Sequence, residues 1–115
     1  MNLPYTQCRA EQFKQIAKSI GKASAFRTEN ALVGKGDSLD LLKLIPDQSV
    51  SLILTDPPYH STKKDNITND TAFDNDDAFI EWMEKFFVEW KRILRPNGSI
   101  FVFCSTAMSA RLEVQ

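Results

Sequence analysis

Four consecutive residues, Asp56-Pro57-Pro58-Tyr59, place a carboxylate, two rigid imides and an aromatic ring side by side. Each proline removes a backbone donor and fixes φ, while its carbonyl keeps its capacity to accept hydrogen bonds. The result is a rigid acceptor array. It suits an exocyclic amine on a nucleobase, a poor nucleophile because its lone pair is delocalised into the ring. Accepting hydrogen bonds from both N–H groups favours a more tetrahedral nitrogen with an available lone pair, and the Asp56 carboxylate and Pro57 carbonyl can do this. Tyr59 offers a face for an extruded base, a contact worth roughly 1–3 kcal/mol in single-strand recognition. Taken bare, the same four residues also read as a strand-terminating turn.

Other polar residues invite weaker readings. Gly36-Asp37-Ser38 supplies a turn followed by a helix N-cap, and its place at a strand end makes Asp37 a ligand candidate. His60 follows the motif, and histidine as a residue type invites a general-base reading. Loss of an amine proton to solvent after transfer needs no base, so His60 reads as a loop or substrate-contact residue. Lys63 and Lys64 read as a solvated pair. Asp70, Asp74, Asp76 and Asp77 lack calcium-loop spacing and read as loop plus helix start, and no metal site is expected.

The elements that position these groups follow from periodicity. Phe13, Ile16, Ala17 and Ile20 recur at helical spacing over 10–20, with Gly21 as a possible cap, and 22–30 reads as a polar connection. A strand is predicted at 31–35, then a helix through Leu39, Leu42 and Ile45 that Pro46-Asp47 ends. The run 50–55 reads as a strand buried on both faces, the habit of parallel sheets. The segment 60–75 is polar and aperiodic, a candidate lid or substrate-facing loop. From Asp76, the residues Phe79, Trp82, Phe86, Trp90 and Ile93 keep a helical period that reads as a core stripe, with acids at the start and Lys91, Arg92 and Arg95 at the end. Pro96-Asn97-Gly98 reads as a turn and 100–104 as another fully buried strand. Alternating strands and helices predict an α/β architecture with parallel pairing.

Bulk properties bound these readings. The chain has 115 residues, 43% hydrophobic and 25% charged, with net charge −1, so charge makes no case for nucleic acid. Cys8 and Cys104 read as reduced thiols, nothing approaches a membrane span, and the start lacks a signal-peptide layout, so the expected location is cytoplasmic.

Asp56-Pro57-Pro58-Tyr59 after an apolar strand resembles the catalytic motif of the DNA amino-methyltransferases, which act on adenine N6 or cytosine N4. Gly36-Asp37-Ser38-Leu39, Ile45-Pro46-Asp47, the strand into Asp56, the aromatic helix and Arg95-Pro96-Asn97-Gly98-Ser99 stand in the order of the family's permuted class, with the match spanning about 31–105. The resemblance implies a Rossmann-like S-adenosylmethionine-dependent fold, with residues 1–30 a helical segment and 31–115 a partial catalytic domain. It implies catalytic roles for Asp56, Pro57, Pro58 and Tyr59, contact of Asp37 with the cofactor's adenine, Asp56 between cofactor and target amine, and Ser105 near the cofactor. The expected substrate is double-stranded DNA with a flipped base. Aspartate at the first motif position favours adenine, with cytosine-N4 as the alternative. The family's glycine-rich Phe-x-Gly-x-Gly cofactor loop is absent from these residues. The expectation is therefore an amino-terminal part, inactive alone and completed by a carboxy-terminal half or a second polypeptide. Strands 50–55 and 100–104 are expected as parallel neighbours, with 31–35 unpaired, paired out of family order, or completed by another chain.

Overall fold

The computed structural model describes residues 5–60 and 73–114. Helix α1 (Tyr5–Ile20) opens the chain and buries Ala17 and Ile20. It starts earlier than the apolar period indicates. Gly21, at φ +49°, takes the left-handed turn that L side chains rarely adopt and leads into a short 3-10 turn, Gly21–Ala23.

The segment 22–30 is not only a polar connection. Strand β1 (Ser24–Arg27) pairs antiparallel with β2 (Leu32–Gly34), a hairpin whose turn is held by Thr28 N donating to Ala31 O at 2.8 Å. Thr28 Oγ1 also accepts from Ala31 N at 3.0 Å. The predicted strand at 31–35 thus exists over 32–34, but it pairs antiparallel with its sequence neighbour, outside the expected parallel order. A hairpin closes a short loop at small entropic cost, whereas a parallel pairing needs a long crossover.

Helix α2 (Ser38–Lys43) is short and ends before Ile45 and Pro46. Strand β3 (Val50–Thr55) pairs parallel with β4 (Leu94–Val102), joined by helix α3 (Asp76–Ile93), and α4 (Thr106–Glu113) follows. The parallel neighbours are as expected. Pro96-Asn97-Gly98 lies within β4, where two steps along β3 (Val50 to Leu52) are matched by five along β4 (Leu94 to Ser99). Gly98 is needed there: a Cβ would sit 2.6 Å from Leu94 Cδ1 and 3.0 Å from the Ser51 carbonyl oxygen.

The core is Phe79, Ile80, Met83 and Trp90 of α3 with Met108 and Leu112 of α4, packed on Ile53, Ile100 and Val102. Both helices therefore press on one face of β3–β4. The opposite face carries Leu52, Leu54, Phe101 and Phe103, each more than half exposed. This corrects the expectation that both strands are buried on both faces. An apolar run marks residues suited to burial, and only alternate side chains of this sheet meet a helix among the described residues.

Arg92 joins α3 to the loop before β3. Its Nη1 donates to the Ile45 carbonyl at 2.8 Å and Asp47 Oδ1 at 2.6 Å, its Nη2 to the Leu42 carbonyl at 2.9 Å, and Nε and Nη2 both to Glu89 Oε2. The hydrogen bond to Asp47, then that to Glu89, raises the guanidinium pKa above its ordinary value. This stabilisation is present below that ordinary value and is lost only as pH rises beyond it. The planar fork adds a donor to the Leu42 carbonyl, which also accepts from Ile45 N, and reaches the Ile45 carbonyl just beyond α2. We expect Arg92→Ala to cost about 2–3 kcal/mol in urea unfolding, the scale of hydrogen bonds to a charged group, and Arg92→Lys to recover only part of it.

Candidate functional site

Thr55 ends β3, and Asp56 stands directly beyond it at the strand's carboxyl end, where open α/β sheets bind ligands. Pro57 and Pro58 have no N–H to continue the ladder, so the chain leaves the sheet here. The neighbouring strand runs on one step, with Phe103 N donating to Thr55 O at 3.0 Å. Asp56 and Pro58 are exposed, Pro57 is half-buried and Tyr59 is 37% exposed.

Asp37 is the N-cap of α2. Its Oδ1 accepts from Leu39 N at 2.9 Å and Asp40 N at 3.3 Å, so the acid that the sequence marks as a ligand candidate already has a structural task. Asp37 and Asp56 line one cavity of about 620 Å³, walled by Leu42, Ile53, Trp82 and Phe86. That size is within the range of small-molecule sites, and apolar walls with a few polar groups are their usual composition. Trp82 and Phe86 belong to the core stripe and also wall the cavity, a second task that helical periodicity does not reveal.

Ser105 lies elsewhere. It is the N-cap residue of α4 without a side-chain cap bond, and its Oγ is buried with no partner among the described residues. It faces a narrow gap lined also by Pro57, Pro58, Tyr59 and His60, and not the cavity of Asp37 and Asp56. The fold thus brings Asp37 and the 56–58 segment together on one cavity and places Tyr59 and Ser105 on the adjoining gap, which Pro57 and Pro58 also line.

His60 is buried, with Nε2 3.0 Å from Asp76 Oδ1 and its ring stacked on Phe79. Asp76 and Asp77 open α3, as the sequence indicates, and receive Arg111 of α4 at 3.2 and 2.5 Å. The hydrogen bond to Asp77, followed by the charges of both acids, raises the pKa of exposed Arg111. Among the described residues no group of His, Cys, Asp and Glu is arranged to hold a metal, and no helix is long and apolar enough to cross a membrane. Lys63, Lys64, Asp70 and most of the candidate lid fall outside the described residues.

A family profile described as DNA methylase matches residues 50–114, from the start of β3 through α4. This chain belongs to the N6/N4 DNA methylase family. It is 32% identical over 80 residues to the type II methyltransferase M.BamHI of Bacillus amyloliquefaciens, covering 68% of this chain and 18% of that protein. It is 33% identical over 84 residues to the type II methyltransferase M.PvuII of Proteus hauseri, 73% of this chain and 24% of that protein. It is 34% identical over 90 residues to the DNA adenine methyltransferase YhdJ of Escherichia coli (strain K12), 78% of this chain and 30% of that protein. The matched regions thus span less than a third of these relatives' lengths. No solved structure matches the chain.

Asp37 caps α2 and also lines the cavity, and the capping can be tested by substitution. We expect Asp37→Ala to destabilise the protein by about 1 kcal/mol through loss of the cap, and Asp37→Ser to retain most of that stability because its hydroxyl also caps. Thermal melts of the two variants check this.

Proposed function

We propose that this chain carries the methyl-accepting side of a DNA adenine-N6 methyltransferase active site and that the cofactor is S-adenosylmethionine. The observation that carries the reading is the placement of Asp56-Pro57-Pro58 at the carboxyl end of β3, on the same cavity as Asp37. The cavity's volume and its lining, apolar and aromatic side chains with the carboxylates of Asp37 and Asp56, fit a cofactor that carries an aromatic base, a ribose and a cationic sulfonium centre. Asp37 would hold its adenosine end, and Asp56 would stand between its methionine end and the target amine. When bound, S-adenosylmethionine supplies an activated methyl group for direct transfer without a covalent enzyme intermediate.

The chain's own residues prepare the acceptor. Asp56 and the Pro57 carbonyl accept hydrogen bonds from the amine, drawing its lone pair out of conjugation and toward the methyl donor. Tyr59 stacks on the base, offsetting part of the cost of extrusion from the duplex. The proton leaves to solvent after transfer. His60 takes no part in that step, since it does not line the cavity of Asp37 and Asp56 and its Nε2 faces Asp76 at 3.0 Å. Ser105, on the gap that Pro57, Pro58 and Tyr59 also line, would stand near the cofactor from that side.

Adenine is favoured by Asp56 at the first motif position and by similarity to a relative named a DNA adenine methyltransferase. The type II names of other relatives support a role in restriction-modification. The family's glycine-rich cofactor loop would come from a carboxy-terminal region or a second polypeptide.

In the full-length protein, Asp56→Ala should abolish transfer of labelled methyl groups to unmethylated bacteriophage DNA while the thermal melt stays close to that of the parent. Near-normal methylation by that variant would remove Asp56 from its assigned role. Tyr59→Ala should lose more activity than Tyr59→Phe, since the ring and not the hydroxyl makes the stacking contact, and equal losses would point to the hydroxyl. Residues 1–115 alone should show no S-adenosylmethionine binding by calorimetry, and micromolar binding by a monomer of them would mean that Asp37 and Asp56 suffice without the glycine loop.

A further inference from the structure

The segment Asp56–Tyr59 is tied down in an unusual way. Its two central residues have no N–H, so the backbone of the turn offers few donors for anchoring. The residue that immediately follows Tyr59 is His60, a polar side chain only 9% exposed. Its Nε2 lies 3.0 Å from Asp76 Oδ1 in the first turn of α3. Its ring stacks on Phe79 at 5.6 Å and 19°, and meets the edge of Phe73 at 6.1 Å and 84°. A ring with a close carboxylate contact at one edge and aromatic contacts on its surface has little rotational freedom, although its buried Nδ1 has no partner among the described residues.

Asp76 is itself held. Its Oδ2 accepts from Arg111 Nη1 at 3.2 Å, and the same guanidinium donates to Asp77 Oδ1. Arg111 belongs to α4, which begins directly after Ser105 at the end of the β4 segment. The ends of the two parallel strands are thereby linked on the side away from the cavity, from β3 through His60, Asp76 and Arg111 to α4 and back to β4. The Arg111 pairs are exposed and contribute little by themselves, so the buried His60 ring, packed on Phe79 and Phe73, is the better-held member of the chain.

We propose that His60 is a positioning residue: it fixes the direction in which Asp56–Tyr59 leaves the sheet, and with it the placement of the Pro57 carbonyl and the Tyr59 ring relative to the Asp56 carboxylate. This rests on the methyl-transfer role proposed for that turn. His60 does not line the cavity of Asp37 and Asp56, so it acts through the backbone of the motif and not on the reacting amine.

The test compares full-length parent, His60→Ala, His60→Gln and Asp76→Ala proteins by two readouts. The first is the ¹⁵N order parameter along 50–60 without substrate. His60→Ala should lower it at Asp56 and Tyr59 from about 0.85 to below about 0.6, with Ile53 and Leu54 unchanged. The second is methyl transfer to bacteriophage DNA: kcat should fall about tenfold to a hundredfold, the scale of a small misplacement of reacting groups, with KM for S-adenosylmethionine little changed. His60→Gln, which keeps a donor toward Asp76, should recover much of both, and Asp76→Ala should reproduce the loss. An unchanged order parameter at Tyr59, a loss spread evenly through β3, or a His60→Gln protein as impaired as His60→Ala would overturn the inference. A parent that shows the order-parameter pattern but transfers no methyl group would instead overturn the proposed function and leave the anchoring intact.

Discussion

The parallel pairing of Val50–Thr55 with Leu94–Val102 is the constraint on which the rest of the structure depends. It requires a crossover, and α3 supplies one whose stripe of Phe79, Met83, Trp90 and Ile93 is buried. It also sets two strand ends side by side, so that Asp56 leaves one strand and Ser105 follows the other. The proline pair then acts as a stop. A residue with an N–H at position 57 or 58 would have a donor with which to extend the ladder, whereas proline frees the chain to present a carboxylate and carbonyl at the rim of the cavity.

Charge plays a local part in this arrangement. Net charge near zero makes no case for a strong overall field. While Lys14 and Lys43 pair within their own helices, two of the cations with described partners join distant elements, Arg92 to the end of α2 and Arg111 to the start of α3. Both sit near helix ends and join elements distant in sequence. Arg92 reaches carbonyls 47 and 50 residues away, and Arg111 reaches acids 35 and 34 residues away. Their contribution is to register helices against one another.

Much of this was legible in the residues, and the parts that were not have a common cause. Helix α3 could be read from its aromatic period and from acids at one end and bases at the other. Strand β3 could be read from an apolar run stopped by two prolines. Ser24-Ala25-Phe26-Arg27 carries one large apolar residue in four, so its strand conformation follows from pairing with Leu32–Gly34 and not from its own pattern. The exposed outer face of Leu52, Leu54, Phe101 and Phe103 was unreadable because an apolar run does not say on which side a helix will lie. At the site, the alignment of Asp56, Pro57 and Pro58 at a strand end follows from local sequence. The sharing of one cavity by Asp37 and Asp56, the withdrawal of Ser105 from it and the burial of His60 are tertiary facts, set by how α2 and α3 pack beside β3.

The account turns on what the rim of that cavity does to a base. Mass analysis of nucleosides from DNA incubated with the full-length protein and S-adenosylmethionine tests it most directly. It should yield N6-methyldeoxyadenosine, with no methyl group on deoxycytidine. N4-methyldeoxycytidine would contradict the choice of base, and no methylated nucleoside at all, from a folded protein, would contradict the assignment of Asp56-Pro57-Pro58-Tyr59 to methyl transfer.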